Sequence, residues 1–158
     1  MVDIYLRPLR MEDAEISYKW RNDPRIWEHT YSRPNCVVTP EMELDWIRKV
    51  IQEPNSLRFA ICLRENDRYV GNVYLINIDW EGKCGEQGTF IGDPDLWGCG
   101  IGTLARLEMH KIVSSQYGIR IVKTQIKSDN ERSLRSAIKA GFVETGRNDG
   151  KVFLEKCL

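Results

Sequence analysis

The stretch "DLWGCGIGT", Asp95 to Thr103, packs three glycines into five positions (Gly98, Gly100, Gly102), behind Pro94 and just ahead of an apolar run. Glycine inside a helix or strand costs roughly 0.5–1 kcal/mol against alanine, so three together mark backbone shaped for a special conformation or a close approach. The run behind them, Ile101 to Gln116, carries Ala105, Met109, Ile112 and Val113 at the period of a half-buried helix. A helix start exposes about four unpaired N–H groups and a partial positive charge, which bind anionic oxygens without any basic side chain. The loop therefore reads as a phosphate cradle, with a flexible strand-to-helix connection as the plain alternative.

Two familiar phosphate motifs do not fit. The P-loop needs a Lys-Ser or Lys-Thr pair at a fixed distance behind its glycine, and none follows here. Gly100, Gly102 and Ala105 do spell G-x-G-x-x-A, with Asp129 downstream. A dinucleotide fold, however, needs a strand running straight into the glycines and several β-α units after them. Pro94 breaks the approach, and too little chain remains.

The rest of the chain alternates strand and helix signals. "IYLRPLR" (Ile4 to Arg10) predicts a strand. "MEDAEISYKWRND" predicts a helix with Ala14, Ile16, Tyr18 and Trp20, ending in a polar turn before Pro24. Thr39 and Pro40 suit a cap and a first helical residue, and Met42, Leu44, Trp46, Ile47, Val50 and Ile51 form a helical face until Pro54. "LRFAICLRE" and "RYVGNVYLINIDW" predict an antiparallel hairpin across "NDR", and Gly85 to Gly92 a further strand. "IRIVKTQIK" is strand-like. Ser128 to Glu131 spells the capping box S-x-x-E before a helix whose Leu134, Ala137 and Ile138 face inward and which Gly141 closes. "GFVETG" and "KVFLEKC" make strands around Asn148-Asp149-Gly150. The order β α α β β β α β α β β is that of a mixed α+β layer structure with seven strands and four helices.

The length, 158 residues, suits one domain over 1–158. Its 23 basic and 23 acidic side chains leave no net field to favour nucleic acid or an anionic membrane. No apolar run is long enough to span a bilayer, and "MVDIYLRPLR" lacks the apolar centre of a signal peptide, so the expected location is cytoplasmic. The five cysteines, Cys36, Cys62, Cys84, Cys99 and Cys157, are odd in number and without a C-x-x-C pair. They read as reduced thiols, mostly small core residues, with no metal site.

"WGCGIGTLA", "NERSLRSAIKAGFVETG" and the opening "LRPLRMEDA" together resemble the GNAT superfamily of acetyl-CoA-dependent N-acetyltransferases, especially the branch similar to the RimJ and RimL ribosomal-protein acetyltransferases. The match spans nearly the whole chain. The family's Gln or Arg, x-x-Gly-x-Gly or Ala, is met by Trp97, Gly98, Cys99, Gly100, Ile101 and Gly102, with tryptophan in the usual polar place. The resemblance implies a mostly antiparallel central sheet flanked by helices, with coenzyme A as cofactor, its pyrophosphate cradled by N–H groups from Trp97 to Thr103. It also implies a pantetheine slot lined by Phe90, Ile91 and Gly92, whose N–H groups would meet the thioester carbonyl. The family's later motif is met by Asn130, Ser133, Gly141 and Phe142, which places Asn130 and Ser133 beside the cofactor; locally, Asn130 is also an ordinary turn residue. Arg132, Arg135 and Lys139 stand where they could reach phosphates or simply be solvated.

An alkyl amine, with a pKa of roughly 10.4, is almost wholly protonated at neutral pH, so its attack needs a proton acceptor. By the resemblance Glu86 is that base, directly or through water, with Asp79 and His29 in reserve. Many relatives use a tyrosine to protonate the leaving thiolate, where this chain has Ala137. "KWRNDPRIWEHTYSRP" supplies Trp20, Arg21, Trp27, His29 and Tyr31 for the acceptor, unless the tryptophans are core anchors. The acceptors implied are a protein α-amino group or the amino sugar of a sugar nucleotide. Polyamines, aminoglycosides and a non-catalytic acetyl-CoA sensor are the alternatives, in a monomer or homodimer.

Overall fold

The computed structural model describes residues 1–28 and 35–158. Seven strands form one sheet: β1 (Ile4–Pro8), β2 (Leu57–Leu63), β3 (Tyr69–Asp79), β4 (Cys84–Ile91), β5 (Ile121–Lys127), β6 (Val143–Asn148) and β7 (Lys151–Cys157). Their order is β1-β2-β3-β4-β5-β7-β6, and every neighbouring pair is antiparallel except β4 and β5. The helices are α1 (Ala14–Arg21), α2 (Pro24–Trp27), α3 (Pro40–Val50), α4 (Ile101–Tyr117) and α5 (Glu131–Lys139), with one-turn 3-10 helices at Met11–Asp13 and Pro94–Leu96. No helix among the described residues is long and apolar enough to cross a membrane.

Alternation along the strands builds two cores. Phe59, Ile61, Val73 and Leu75 face Ile101, Ala105, Met109 and Val113 of α4 and Ala137 of α5. Ala60, Cys62 and Tyr69 face Ala14 and Trp20 of α1 and Ile47 and Val50 of α3. The sheet is therefore covered on both sides. A parallel pair needs a crossover, and α4 provides it between β4 and β5.

Several local expectations change. Asp23 accepts from Arg25 N at 3.0 Å and Pro24 opens an additional helix, α2, beyond the turn that ends α1. Asn130, not Ser128, caps α5, its Oδ1 accepting from Ser133 N at 3.3 Å. The buried face of α3 holds Glu43 with Ile47 and Val50, while Met42 and Ile51 are exposed; Ile16 and Ile138 also point outward. Each of these helices covers only part of the sheet, so the side chains at the edge of its apolar arc are left in solvent. Among the cysteines, all free thiols, only Cys62 is a core residue, whereas Cys36, Cys99 and Cys157 are exposed.

Gly92, at the end of β4, lies under the indole of Trp20, where a Cβ would stand 2.0 Å from Trp20 Cδ2. Trp20 itself is wedged between Tyr69 and Phe90, at ring separations of 4.7 and 5.8 Å. Gly92→Ala should lower unfolding stability by about 1–3 kcal/mol, the usual cost of overpacking, read as a fall in the urea midpoint at unchanged slope.

Candidate functional site

The glycine loop ends at Gly100, the N-cap of α4, which has φ +84° and no side chain to cap the helix. The first helical bond runs from Leu104 N to Gly100 O at 3.1 Å, so the N–H groups of Ile101, Gly102 and Thr103 have no acceptor within the helix. Gly98 also has positive φ, +79°, and a Cβ at Gly98 or Gly100 would touch nothing, so backbone conformation rather than crowding demands glycine there. Gly102 differs, since its Cβ would lie 3.4 Å from Ser136 Oγ where α4 meets α5, an approach tied by Thr103 Oγ1 and Ser136 Oγ at 3.1 Å.

Trp97 is a strut. Its indole Nε1 donates to Ile91 O at 3.0 Å, its N–H donates to Pro94 O at 3.1 Å, and the Arg132 guanidinium lies 3.9 Å over its ring. The N–H groups left to face an anion therefore begin at Gly98, not at Trp97.

From this loop a cleft runs along the sheet. β4 pairs with β5 only at Cys84, Gly85 and Glu86, opposite Ile121, Val122 and Lys123. Beyond Glu86 the two strands part. Gly92 N donates to Val70 O at 2.8 Å, so the polar groups of Gly92 turn toward β3. Strand alternation then turns those of Thr89 and Ile91 toward the gap, as the Trp97 bond to Ile91 O shows.

The cavity is lined by Phe90, Ile91, Trp97, Gly98, Gly100, Ile101, Gly102, Thr103, Asn130 and Ser133, and by Arg132, Arg135 and Lys139. Six residues join them that the sequence had not singled out: Arg25, Ile26, Thr89, Leu96, Arg106 and Ser136. Gly92 and Cys99 are not in the lining. Gly92 offers no free N–H, and its role is the packing of Trp20.

Trp20 is a core anchor, 9% exposed. On the same side of the sheet, Trp27, Arg21, Trp46, Arg58 and Tyr74 alternate aromatic and cation. Arg21 lies 5.2 and 5.0 Å from the rings of Trp27 and Trp46, and Arg58 5.3 and 5.1 Å from those of Trp46 and Tyr74. Burial holds the Arg58 guanidinium below its ordinary range and pushes the Tyr74 phenol up. Arg21 Nε stands 3.4 Å from Glu43 Oε2, and neither Arg21 Nε nor Arg58 Nε has a hydrogen-bond partner among the described residues. Glu86 is exposed on this face and accepts from Asn77 Nδ2 at 3.2 Å. Gly88 lies between Glu86 and Phe90, and the Tyr74 ring covers the place where its Cβ would be. His29 and Tyr31 lie outside the described residues.

Where the strands part, the interior is polar. His110, 4% exposed, has Nε2 2.6 Å from Gln87 Oε1 and Nδ1 3.1 Å from Lys156 Nζ. The ammonium must donate, so Nδ1 accepts and the neutral ring donates from Nε2 to Gln87. Burial, with the charges of Lys156 and Arg106, pulls the His110 pKa down to about 3.

Residues 3–143 match the family described as acetyltransferase (GNAT) domain. An uncharacterized N-acetyltransferase p20 of Bacillus licheniformis is 23% identical over 89% of this chain and 79% of its own length. The spermidine N-acetyltransferase of Vibrio cholerae, solved with CoA and spermine, superposes with a TM-score of 0.85 at 17% identity, covering 98% of this chain and 95% of that one. The ribosomal-protein-S5-alanine acetyltransferase of Vibrio fischeri does so at 0.84 and 18%, covering 99% and 96%.

Because the folded pKa of His110 lies below the unfolded value near 6.5, the stability it contributes is complete above that value and is lost as pH falls through it toward 3. Between pH 6.5 and 5 the unfolding free energy should drop by at most about 1.4 kcal/mol per pH unit on this account. In His110→Gln that part of the slope should vanish, as measured by urea titration at stepped pH.

Proposed function

The chain belongs to the acetyltransferase (GNAT) domain family and is an acyltransferase; from that premise we propose that it moves an acetyl group from acetyl-CoA directly to a primary amine, on a protein α-amino group or the amino sugar of a sugar nucleotide. The observation that carries this reading is the uncapped, glycine-shaped start of α4 opening onto the cleft between β4 and β5.

Coenzyme A suits the residues present. The N–H groups from Gly98 to Thr103 would receive its pyrophosphate, with Arg25, Arg132, Arg135 and Lys139 around the same cavity. The free edge of β4 at Thr89 and Ile91 offers amide partners for the pantetheine arm, and Phe90 faces away from that edge to pack with Trp20 and Trp27. Asn130 and Ser133 at the start of α5 close the cavity wall. When bound, this carrier supplies an activated acetyl carbon.

Glu86 would hold the proton of the attacking amine on a carboxylate oxygen. Its place supports this, since it is the last residue of β4 paired with β5, at the apex of the cleft and on the side away from α4. The acceptor would enter on that side. There, Arg21 and Arg58 stacked among Trp27, Trp46 and Tyr74 favour an acceptor that carries a planar or anionic group beside its amine. Polycations such as polyamines and aminoglycosides meet like charge on this wall.

Release of free thiol from acetyl-CoA, followed with peptides, sugar nucleotides, polyamines and aminoglycosides, should show turnover with the first two classes. Turnover confined to polyamines or aminoglycosides would overturn the acceptor assignment, and carrier binding with no thiol release from any acceptor would overturn direct transfer. Glu86→Gln should lower kcat by roughly 100-fold or more at neutral pH and recover part of the loss as pH rises toward the amine's own pKa. An unchanged pH profile would remove Glu86 as the base.

A further inference from the structure

Arg106 occupies the second turn of α4 on its sheet-facing side, where the neighbouring buried positions are Ile101, Ala105 and Met109. It is 3% exposed and lines the same cavity as the glycine loop. Its Nη2 donates to Ser133 Oγ at 3.2 Å and its guanidinium stands 5.9 Å from the ring centre of Phe142, but Nε and Nη1 have no hydrogen-bond partner among the described residues. Guanidinium donors withdrawn from water without an acceptor are unfavourable unless a ligand completes them.

Among the described residues, the groups around Arg106 offer no anion. On its own helix the neighbour is the neutral His110, whose far ring nitrogen meets the Lys156 ammonium of β7; α5 offers the Ser133 hydroxyl and β3 the Tyr74 phenol. Burial pulls the guanidinium down to about 10, which leaves it charged at neutral pH. Arg106 thus lies inward from the helix start, toward the apex of the cleft, where His110 meets Gln87 just after the last β4–β5 pair. Ala137, fully buried one turn beyond Ser133 on α5, has no proton to give.

We infer that Arg106 is a catalytic residue that receives the sulfur of the departing coenzyme A as a thiolate, through one of its two unpaired donors, Nε or Nη1. As the amine nitrogen bonds to the acetyl carbon, the carbon–sulfur bond breaks with its electron pair going to sulfur. The amine proton leaves to the base, and the guanidinium keeps its own protons throughout. An ion pair takes the place of general-acid protonation. This rests on the cavity being the coenzyme A site.

The test needs no turnover. Free coenzyme A bound to the wild-type protein is titrated through its thiolate absorbance in the ultraviolet, with desulfo-coenzyme A as reference. A thiol has a pKa of about 8.5, and a cation within hydrogen-bond reach should lower it by at least about one unit. Arg106→Met, a replacement of similar length, should return the bound thiol to 8.5 or above and leave desulfo-coenzyme A affinity within about threefold. Arg106→Lys should retain part of the shift. In turnover, Arg106→Met should lower kcat by roughly 10- to 100-fold with little change in the KM for acetyl-CoA. Bound thiol titrating at its ordinary value in the wild type overturns the inference while leaving the coenzyme A site intact. Failure of coenzyme A and desulfo-coenzyme A to bind the wild type overturns both.

Discussion

The structure depends on a sheet contact that stops early. β4 and β5 run parallel and share only the pairs at Cys84, Gly85 and Glu86 before separating. Parallel strands need a covering crossover, and α4 is that crossover, so its first turn is delivered to the mouth of the gap that the separation opens. The uncapped amides, the free edge of β4 and the buried Arg106 follow from this one arrangement. A β4–β5 ladder continued to Ile91 would bury the edge and leave the glycine loop facing a closed sheet.

Charge then divides the cleft by function. Around the start of α4 the cations are exposed or half-buried and long, suited to a mobile polyanion and weakened by salt. On the opposite side of the sheet Arg21 and Arg58 are clamped between aromatic rings, which fixes their planes at little entropic cost. Between the two, His110 is kept neutral, and Gln87 is held by His110 and by Thr124, whose hydroxyl donates to Gln87 O at 3.0 Å. These bonds fix His110 and Gln87 at the apex of the cleft, beside the unpaired donors of Arg106.

Much of this was legible in the residues. Strand and helix order, α2 apart, followed from periodicity, and the glycines ahead of an apolar run marked the start of α4 as backbone of special conformation. The side chains that meet across the sheet were hidden, because Arg58 and Tyr74 become neighbours only through the register of β2 against β3. Arg106 left a readable trace, a charge next to Ala105 in the apolar arc of its helix, yet sequence cannot tell a buried cation from one that reaches past the core to water. Glu43 was concealed in the same way. The apolar residues of α3 suggested a face through Met42 and Ile51, whereas the buried arc turns toward Ser17, whose Oγ donates to Glu43 Oε1 at 2.9 Å.

The strut made by Trp97 reaches further than its own contacts. One side chain ties the glycine loop to the last carbonyl of β4 and carries Arg132 of α5 on its face. The two halves of the sheet, otherwise joined by a brief ladder and one helix, thus share a clasp at the open end. At the cleft's mouth this one indole bridges the end of β4 and the start of α5, so both rims are referred to a single side chain.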